Sequence, residues 1–158
     1  MENAVFDAAR TGNTDLLTEL INKGADINAR DPRGFTPLII ASYNDQLETT
    51  RILLAAGADV NAADNGGNTS LMGTCFKGYV KIAELLLKHG ADVNLQHGNG
   101  GTALMFASLF GRNELLKLVL ENGARMELRD ARGLTALDLA VQQGNVEAVD
   151  IMESYSVR

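Results

Sequence analysis

Hydrophobic residues recur along the chain in short runs separated by glycine-containing turns, and the same runs return at a fixed interval. Leucine-rich runs stand at 52–54, 85–87 and 118–120. Three columns of residues share a spacing of 33 positions. Their members are Gly24, Gly57, Gly90 and Gly123; Thr36, Thr69, Thr102 and Thr135; and Gly12, Asp45, Gly78, Gly111 and Gly144. One period shared by three unrelated columns indicates a repeat architecture.

Each unit predicts a turn and two helices. A turn segment (31–34, 64–67 and 130–133) leads to the threonine column, where a hydroxyl can accept from the free N–H groups of a first helical turn. The first helix then ends at the Gly/Asp column, where a residue that tolerates a positive φ is useful. The leucine-rich run forms the second helix, and the Gly24 column closes that helix just after its last turn.

Two segments carry a specific resemblance: GFTPLIIA (34–41) and LLAAGADVNAAD (53–64). They resemble the ankyrin repeat, and the resemblance covers nearly the whole chain, as in a small stand-alone member with five repeats. It implies an all-α solenoid of stacked helix-turn-helix pairs, with β-hairpin loops projecting at right angles and a concave groove that receives partners. The five units are approximately 1–30, 31–63, 64–96, 97–129 and 130–158 of a single domain.

The sequence departs from the family pattern at several positions. The Thr-Pro pair is kept only at Thr36-Pro37, with Ser70, Ala103 and Ala136 in the other units. The family histidine is replaced by Ile39, Met72, Met105 and Asp138. The last unit has Arg125 and Glu127 where earlier units have Asp and Asn. These departures affect local loop hydrogen bonds and leave the predicted fold unchanged.

Polar residues at the two ends predict the direction of packing. Glu19 stands in a column with Ile52, Leu85, Leu118 and Ile151, so this column should face the N-terminal neighbour, as should the column of Asp7. Glu153 shares a column with Ile21, Leu54, Leu87 and Leu120, which should face the C-terminal side. Because the outer face of a terminal repeat must be polar, we expect two capped ends, a complete protein and a monomer.

The middle unit is irregular, because Gly73 occupies a helix interior, where glycine costs about 0.5–1 kcal/mol relative to alanine. The aligned residue of the next unit is the bulky Phe106. One hypothesis is that Phe106 fills the space left by Gly73; the alternative is ordinary drift in a tolerant repeat.

The net charge of −6, with no cluster of Lys or Arg, argues against nucleic acid or an anionic membrane surface as a partner. No segment approaches the ~20 apolar residues of a membrane span. The first ten residues carry no basic region typical of a signal peptide. These features favour a cytoplasmic protein, whereas a removed leader would make it periplasmic or secreted.

No constellation for catalysis or metal binding is visible. The glycine-rich run at 98–102 lacks the Lys-Ser/Thr of a phosphate-binding loop, and it falls in register with the other turns. His89 is expected to interact with a helix C-terminus, and His97 replaces a turn aspartate as an exposed loop residue. Cys75 has no neighbouring general base and is expected to be a buried structural thiol.

The columns Asp26, Asp59, Asp92 and Asn28, Asn61, Asn94 lack the spacing of a calcium loop. We expect these side chains to bond loop backbone groups instead. The sequence therefore predicts a protein that is not an enzyme and holds no cofactor and no metal.

The positions that differ between units identify a candidate recognition surface. Counted from each threonine, positions +2, +5 and +6 form the inner arc of the first helix, so +7 should be polar. The +7 column instead reads Arg10, Tyr43, Phe76, Leu109 and Gln142, and the +8 column reads Thr11, Asn44, Lys77, Phe110 and Gln143. Resemblance to the family places these columns on the concave groove.

We therefore predict a partner-binding surface formed by Arg33, Phe35, Tyr43, Asn68, Phe76, Lys77, Leu109, Phe110, Arg132 and Leu134. The alternative is that these side chains cover the turns or pack between repeats. The predicted function is a non-catalytic protein–protein interaction module: an adaptor, inhibitor or immunity-type binder. The alternative function is a structural or chaperone-like scaffold subunit.

Overall fold

Ten helices, arranged as five antiparallel pairs, form the regular structure of residues 2–156, which are the residues that the computed structural model describes. Met1, Val157 and Arg158, which belong to the predicted first and last units, lie outside the described residues. The helices are α1 (Glu2–Thr11), α2 (Thr14–Asn22), α3 (Pro37–Tyr43), α4 (Leu47–Ala55), α5 (Ser70–Lys77), α6 (Val80–Lys88), α7 (Ala103–Leu109), α8 (Asn113–Glu121), α9 (Ala136–Gln142) and α10 (Val146–Ser156).

The helices stack in two parallel rows. First helices pack on first helices, in the order α1, α3, α5, α7 and α9, and second helices pack on second helices, in the order α2, α4, α6, α8 and α10. Each unit therefore contacts the units beside it along the chain. The all-helical solenoid expected from the 33-residue repeat is confirmed.

The threonine column begins the first helices of units two to five, as the sequence predicts. The Oγ1 atoms of Thr36, Thr69, Thr102 and Thr135 accept from the backbone N–H three residues later at 3.2, 3.3, 3.2 and 3.2 Å, respectively. In α9 the bond is reciprocal, because Asp138 Oδ2 accepts from Thr135 N at 2.9 Å. This backbone hydrogen bond holds the pKa of Asp138 below its ordinary value.

The Gly/Asp column ends the first helices with a positive φ, also as predicted. Gly78 closes α5 in the left-handed conformation, with φ of 89°. Asp45 adopts φ of 58° at the same position of unit two and is the one non-glycine residue of the described chain with a positive φ. An aspartate tolerates this conformation better than most side chains, which explains its place in a column of glycines.

The core lies between the two rows of helices. The inner arc predicted for the first helices is buried: Leu38, Leu71 and Leu104 are each 1% exposed. Second helices contribute Leu53, Leu86 and Leu116, which are fully buried. Glu19 and Glu153 are exposed.

The loops before the first helices are tight, hairpin-like turns that form a row of their own. In the turn of unit two, Gly34 N donates to Asp31 O at 2.8 Å, and the same bond recurs at the other three turns. Each turn also bonds its neighbour: Asn65 N donates to Arg33 O, Gly98 N to Gly66 O and Ala131 N to Asn99 O, at 3.0, 2.9 and 2.8 Å. Within residues 2–156 no strand forms, and one isolated antiparallel bridge joins Ala63 to Thr69.

The loops after the second helices are joined by a ladder of asparagine side chains. The Oδ1 atoms of Asn28, Asn61 and Asn94 accept from the backbone of the next unit, at Asp59 N, Asp92 N and Arg125 N, over 2.9, 2.8 and 2.8 Å. We call these three residues the asparagine ladder. The predicted role of this column in bonding loop backbone is therefore confirmed. In unit four Glu127 Oε1 pairs with Arg125 Nε at 2.8 Å instead.

Candidate functional site

A groove of about 760 Å³ runs over units two and three, between the turns and the first helices. Its lining includes Arg10, Arg33, Phe35, Ile39, Tyr43, Asn68, Met72, Gly73, Phe76 and Phe106. A shallower depression of about 410 Å³ continues over units four and five. Phe106 lines both, so the two form one concave surface.

Five rings follow one another along this surface. The ring centroids of Tyr43 and Phe76 lie 6.4 Å apart with nearly parallel planes, and Phe76 meets Phe110 edge to face at 4.7 Å. Phe110 then stacks on Phe106 at 6.4 Å, and Phe106 meets His97 edge to face at 5.3 Å. We call these five residues the aromatic row. Their contacts cross units two, three and four.

Two members of the aromatic row are accessible to solvent. Tyr43, the last residue of α3, is 43% exposed, and Phe110, which directly follows α7, is 41% exposed. Phe76 lies half-buried between them. Lys77, the last residue of α5, places its Nζ 5.1 Å from the centroid of the Tyr43 ring, within the range of a cation–π interaction.

The space at Gly73 is limited by Tyr43 and not by Phe106, so the hypothesis that Phe106 fills it is wrong. A Cβ on Gly73 would lie 3.2 Å from Tyr43 Cδ1, and every atom within 4 Å of it belongs to Tyr43. This column faces the N-terminal neighbour, so Gly73 faces unit two, whereas Phe106 points toward the groove from unit four. Gly73 forms part of the floor of the groove.

The remaining predicted residues lie at different depths. Arg33 is exposed at the rim, and Asn68 Nδ2 donates to both carboxylate oxygens of Asp64 at 3.2 and 3.3 Å. Leu109 and Arg132 line the shallower depression, and the guanidinium of Arg132 pairs with Asp130 at 3.0 Å.

Phe35 lines the groove, but its side chain is half-buried and packs against the core. Leu134 is half-buried against the core in the same way and lines neither depression. The sequence also allowed that these two side chains cover the turns. Their packing against the core agrees with that alternative.

His97 has a role that the sequence analysis missed. Its Nδ1 accepts from Asn99 N at 3.0 Å and from Gly101 N at 3.2 Å, just as Asp31 Oδ1 accepts two backbone N–H groups at 2.9 Å. To do so, Nδ1 must carry no proton. The ring is half-buried, so the expectation of an exposed loop residue is wrong, because the ring packs on Phe106. The signal was the position itself, where the other three turns have aspartate.

The other residues singled out for chemistry are structural. Cys75 is fully buried, and burial raises the pKa of its thiol to about 12, so the thiolate is negligible at neutral pH. His89 Nδ1 lies 3.0 Å from the carbonyl oxygen of Leu85, at the C-terminus of α6. Both predictions are confirmed. Among residues 2–156, no three His, Cys, Asp or Glu side chains are placed to share a metal ion.

Comparison with known proteins identifies the repeats. A sequence model of ankyrin repeats in three copies matches residues 5–97, and a model of many copies matches residues 86–140. A segment of 55 residues is 46% identical to ankyrin repeat domain-containing protein 29 of Danio rerio, and covers 34% of this chain and 18% of that protein.

Two further relatives are similar over segments of the same size. Mitochondrial disaggregase of Bos taurus is 40% identical over 53 residues, or 34% of this chain and 8% of that protein. Ankyrin repeat and SOCS box protein 3 of Bos taurus is 43% identical over 49 residues, or 31% of this chain and 9% of that protein. The matched part of the chain thus spans less than a fifth of each of these relatives. No helix within residues 2–156 has the length and apolar character needed to cross a membrane.

Proposed function

Because the chain belongs to the ankyrin-repeat family, we propose that it is a non-catalytic binding module whose protein partner occupies the groove over units two to four. Ankyrin repeats indicate a protein–protein interaction module, and the family is generally non-catalytic. Within that role the module acts as an adaptor, an inhibitor or an immunity-type binder. It works as a monomer, and its net charge of −6 disfavours nucleic acid as the partner.

The aromatic row is the single observation that supports this location. The large hydrophobic side chains that the described residues expose most are Tyr43, Phe110, Val141 and Val146. The two aromatic members belong to the row. Aromatic side chains clustered on a concave surface are typical of the residues that dominate binding energy at protein interfaces.

The partner binds by covering this surface. A partner that covers Tyr43 and Phe110 removes apolar area from water, at roughly 25 cal/mol per Å² before the costs of association. The rings contact one another, so little side-chain freedom is lost on binding.

The test is a random peptide library panned against the wild-type protein, with bound peptides then measured on single variants. We expect Phe76→Ala and Phe110→Ala each to weaken binding by about 1–2 kcal/mol, or roughly 5- to 30-fold. Val146→Ala is the matched control, because Val146 is an apolar residue that is 69% exposed on α10. Its binding should match that of the wild type.

Two outcomes would contradict the proposal. If both ring variants bind the selected peptides normally, the partner surface lies elsewhere. If both bind weakly but also lose several kcal/mol of unfolding free energy, the rings belong to the core. Weak binding to many unrelated unfolded chains, without a preferred sequence, would support the alternative of a chaperone-like scaffold subunit.

A further inference from the structure

Resting on the proposed function, we propose that the groove takes a short partner segment in which carboxylate side chains flank an apolar anchor. The anchor contacts the rings of Tyr43 and Phe76, and the carboxylates meet Arg33 and Lys77. The partner is thus an acidic segment, although the chain itself carries a net charge of −6.

The floor of the groove explains the apolar anchor. Gly73 adds no side chain to the floor, and the ring of Tyr43 lies close against it as the adjoining wall. Phe76 and Phe106 line the groove on the side of units three and four. An apolar side chain of a partner placed here contacts aromatic carbon on both sides, which favours burial of one anchor residue.

The surroundings of the groove are less acidic than the chain as a whole. The groove lining holds two cations, Arg10 and Arg33, and two carboxylates, Asp31 and Asp64, and Lys77 lies beside it. Arg10 is paired with Asp7 at 3.0 Å, which leaves Arg33 and Lys77 for a partner. The whole chain holds 14 basic and 20 acidic residues. The acidic excess therefore lies outside the groove, and a carboxylate approaching the molecule is least repelled there.

The two carboxylates of the lining are already engaged within their own turns. Asp31 Oδ1 accepts from Arg33 N and Phe35 N, both at 2.9 Å. Asp64 Oδ1 accepts from Gly66 N and Asn68 N, both at 2.9 Å. One oxygen of each carboxylate is thus occupied within its own turn, whereas the rim keeps the side-chain donors of Arg33 and Lys77.

Those donors are free in the part of the chain that the structure describes. The guanidinium of Arg33 and the ammonium of Lys77 make no ion pair and no hydrogen bond there, and Lys77 instead lies over the Tyr43 ring. Arg132 occupies the same turn position in unit five, but its guanidinium is paired with Asp130 at 3.0 Å. The available cations therefore stand beside the groove at Gly73 and not along the whole concave face.

The experiment compares three sets of short synthetic peptides that share the apolar anchors selected in the panning and differ in their flanks: Asp/Glu, Ser or Lys/Arg. Binding is measured by fluorescence anisotropy at low and high salt. We expect the wild type to bind the acidic set about three- to tenfold more tightly than the basic set at low salt, with a smaller difference at high salt.

Two double variants separate the groove from the overall charge. Arg33→Glu with Lys77→Glu should reverse the preference toward basic flanks. Lys81→Glu with Lys117→Glu makes the same change in net charge at two exposed lysines of α6 and α8, and should keep the acidic preference. Thermal unfolding checks that both double variants fold.

The possible outcomes distinguish failure of the acidic segment from failure of the groove as the binding site. Equal binding of acidic and basic flanks overturns the acidic partner while Phe76-dependent binding still supports the groove. Loss of the acidic preference in both double variants overturns it too, since net charge would then be the cause. Peptide binding that is unchanged in Phe76→Ala overturns the proposed function itself. Self-association of the wild type that Phe76→Ala abolishes would assign the groove to a second copy of the chain and overturn the acidic segment.

Discussion

The two loop-bearing sides of this solenoid are built in opposite ways. On the side of the asparagine ladder, one contact repeats from unit to unit, with the same atoms at 2.9, 2.8 and 2.8 Å. On the concave side, the +7 column changes at every unit, from Arg10 through Tyr43, Phe76 and Leu109 to Gln142. The first side keeps its chemistry while the second side varies it.

The difference separates what holds the stack from what is offered to a partner. A contact repeated at the first three interfaces contributes to each of those nearest-neighbour terms, on which the stability of a repeat protein depends. A side chain that differs in each unit makes no repeated contribution to the interfaces between units, so its position can vary for recognition. Substitutions in the ladder should therefore change stability, and substitutions in the groove should change binding.

The largest effect is expected at Asn94. Its Oδ1 accepts from Arg125 N at 2.8 Å and its Nδ2 donates to Gly123 O at 3.1 Å, so Asn94→Ala removes two bonds between units three and four. We expect a loss of about 1–3 kcal/mol in the free energy of unfolding, measured by urea denaturation, with unchanged binding in the groove.

Asn94→Asp is the matched control for that loss. It keeps the acceptor for Arg125 N but removes the donor to Gly123 O, so its stability should lie between those of the wild type and Asn94→Ala. A stability equal to that of the wild type in both variants would show that the ladder does not hold the stack.

A smaller and divided effect is expected at His97, which belongs both to a turn and to the aromatic row. His97→Ala removes the acceptor of two backbone N–H groups and should cost about 1–2 kcal/mol of unfolding free energy. His97→Asp restores the acceptor found in the other three turns but loses the ring contact with Phe106. It should unfold close to the wild type while binding groove peptides more weakly. Equal stability of the two variants would contradict the role of Nδ1.

The smallest effect is expected at Gly73. Gly73→Ala gains about 0.5–1 kcal/mol of helix propensity, but the new Cβ lies 3.2 Å from Tyr43 Cδ1 and displaces that ring by a few tenths of an ångström. The midpoint temperature of thermal unfolding should therefore rise by less than the full gain in helix propensity implies. Groove peptides should bind more weakly.

The Gly73→Ala substitution made in a Tyr43→Ala background completes a double-mutant cycle. There the full gain in stability should return, because the ring that the Cβ meets is gone. An equal gain in both backgrounds would show that Tyr43 does not limit the space at Gly73.

The scaffold could be predicted from the sequence because its determinants are local and repeated. Thr36 and Thr69 each accept from a backbone N–H three residues away. Gly78 and Asp45 each adopt the positive φ that ends a helix. Because these interactions are local, a column of residues at a fixed period identifies them. The same logic found the asparagine column, although not its reach to the next unit.

The site could be predicted only in outline, because its contacts cross units. Whether Gly73 meets Tyr43 or Phe106 depends on which way a helix face turns, and the aligned letters do not state that direction. The sequence therefore leaves open whether Phe106 fills the space at Gly73 or differs from it by ordinary drift. The sequence shows that His97 replaces a turn aspartate, but it does not show that Nδ1 accepts the same two backbone N–H groups as the aspartate oxygen.

Cys75 gives this molecule a built-in reporter of local opening. It is the one cysteine of the chain, it lies in α5 next to Phe76, and it is fully buried with a thiol that is protonated at neutral pH. An alkylating reagent can reach it only when unit three opens, so its labelling rate follows the opening free energy of that unit. A ligand that stiffens the centre of the solenoid would slow this reaction, with no added probe.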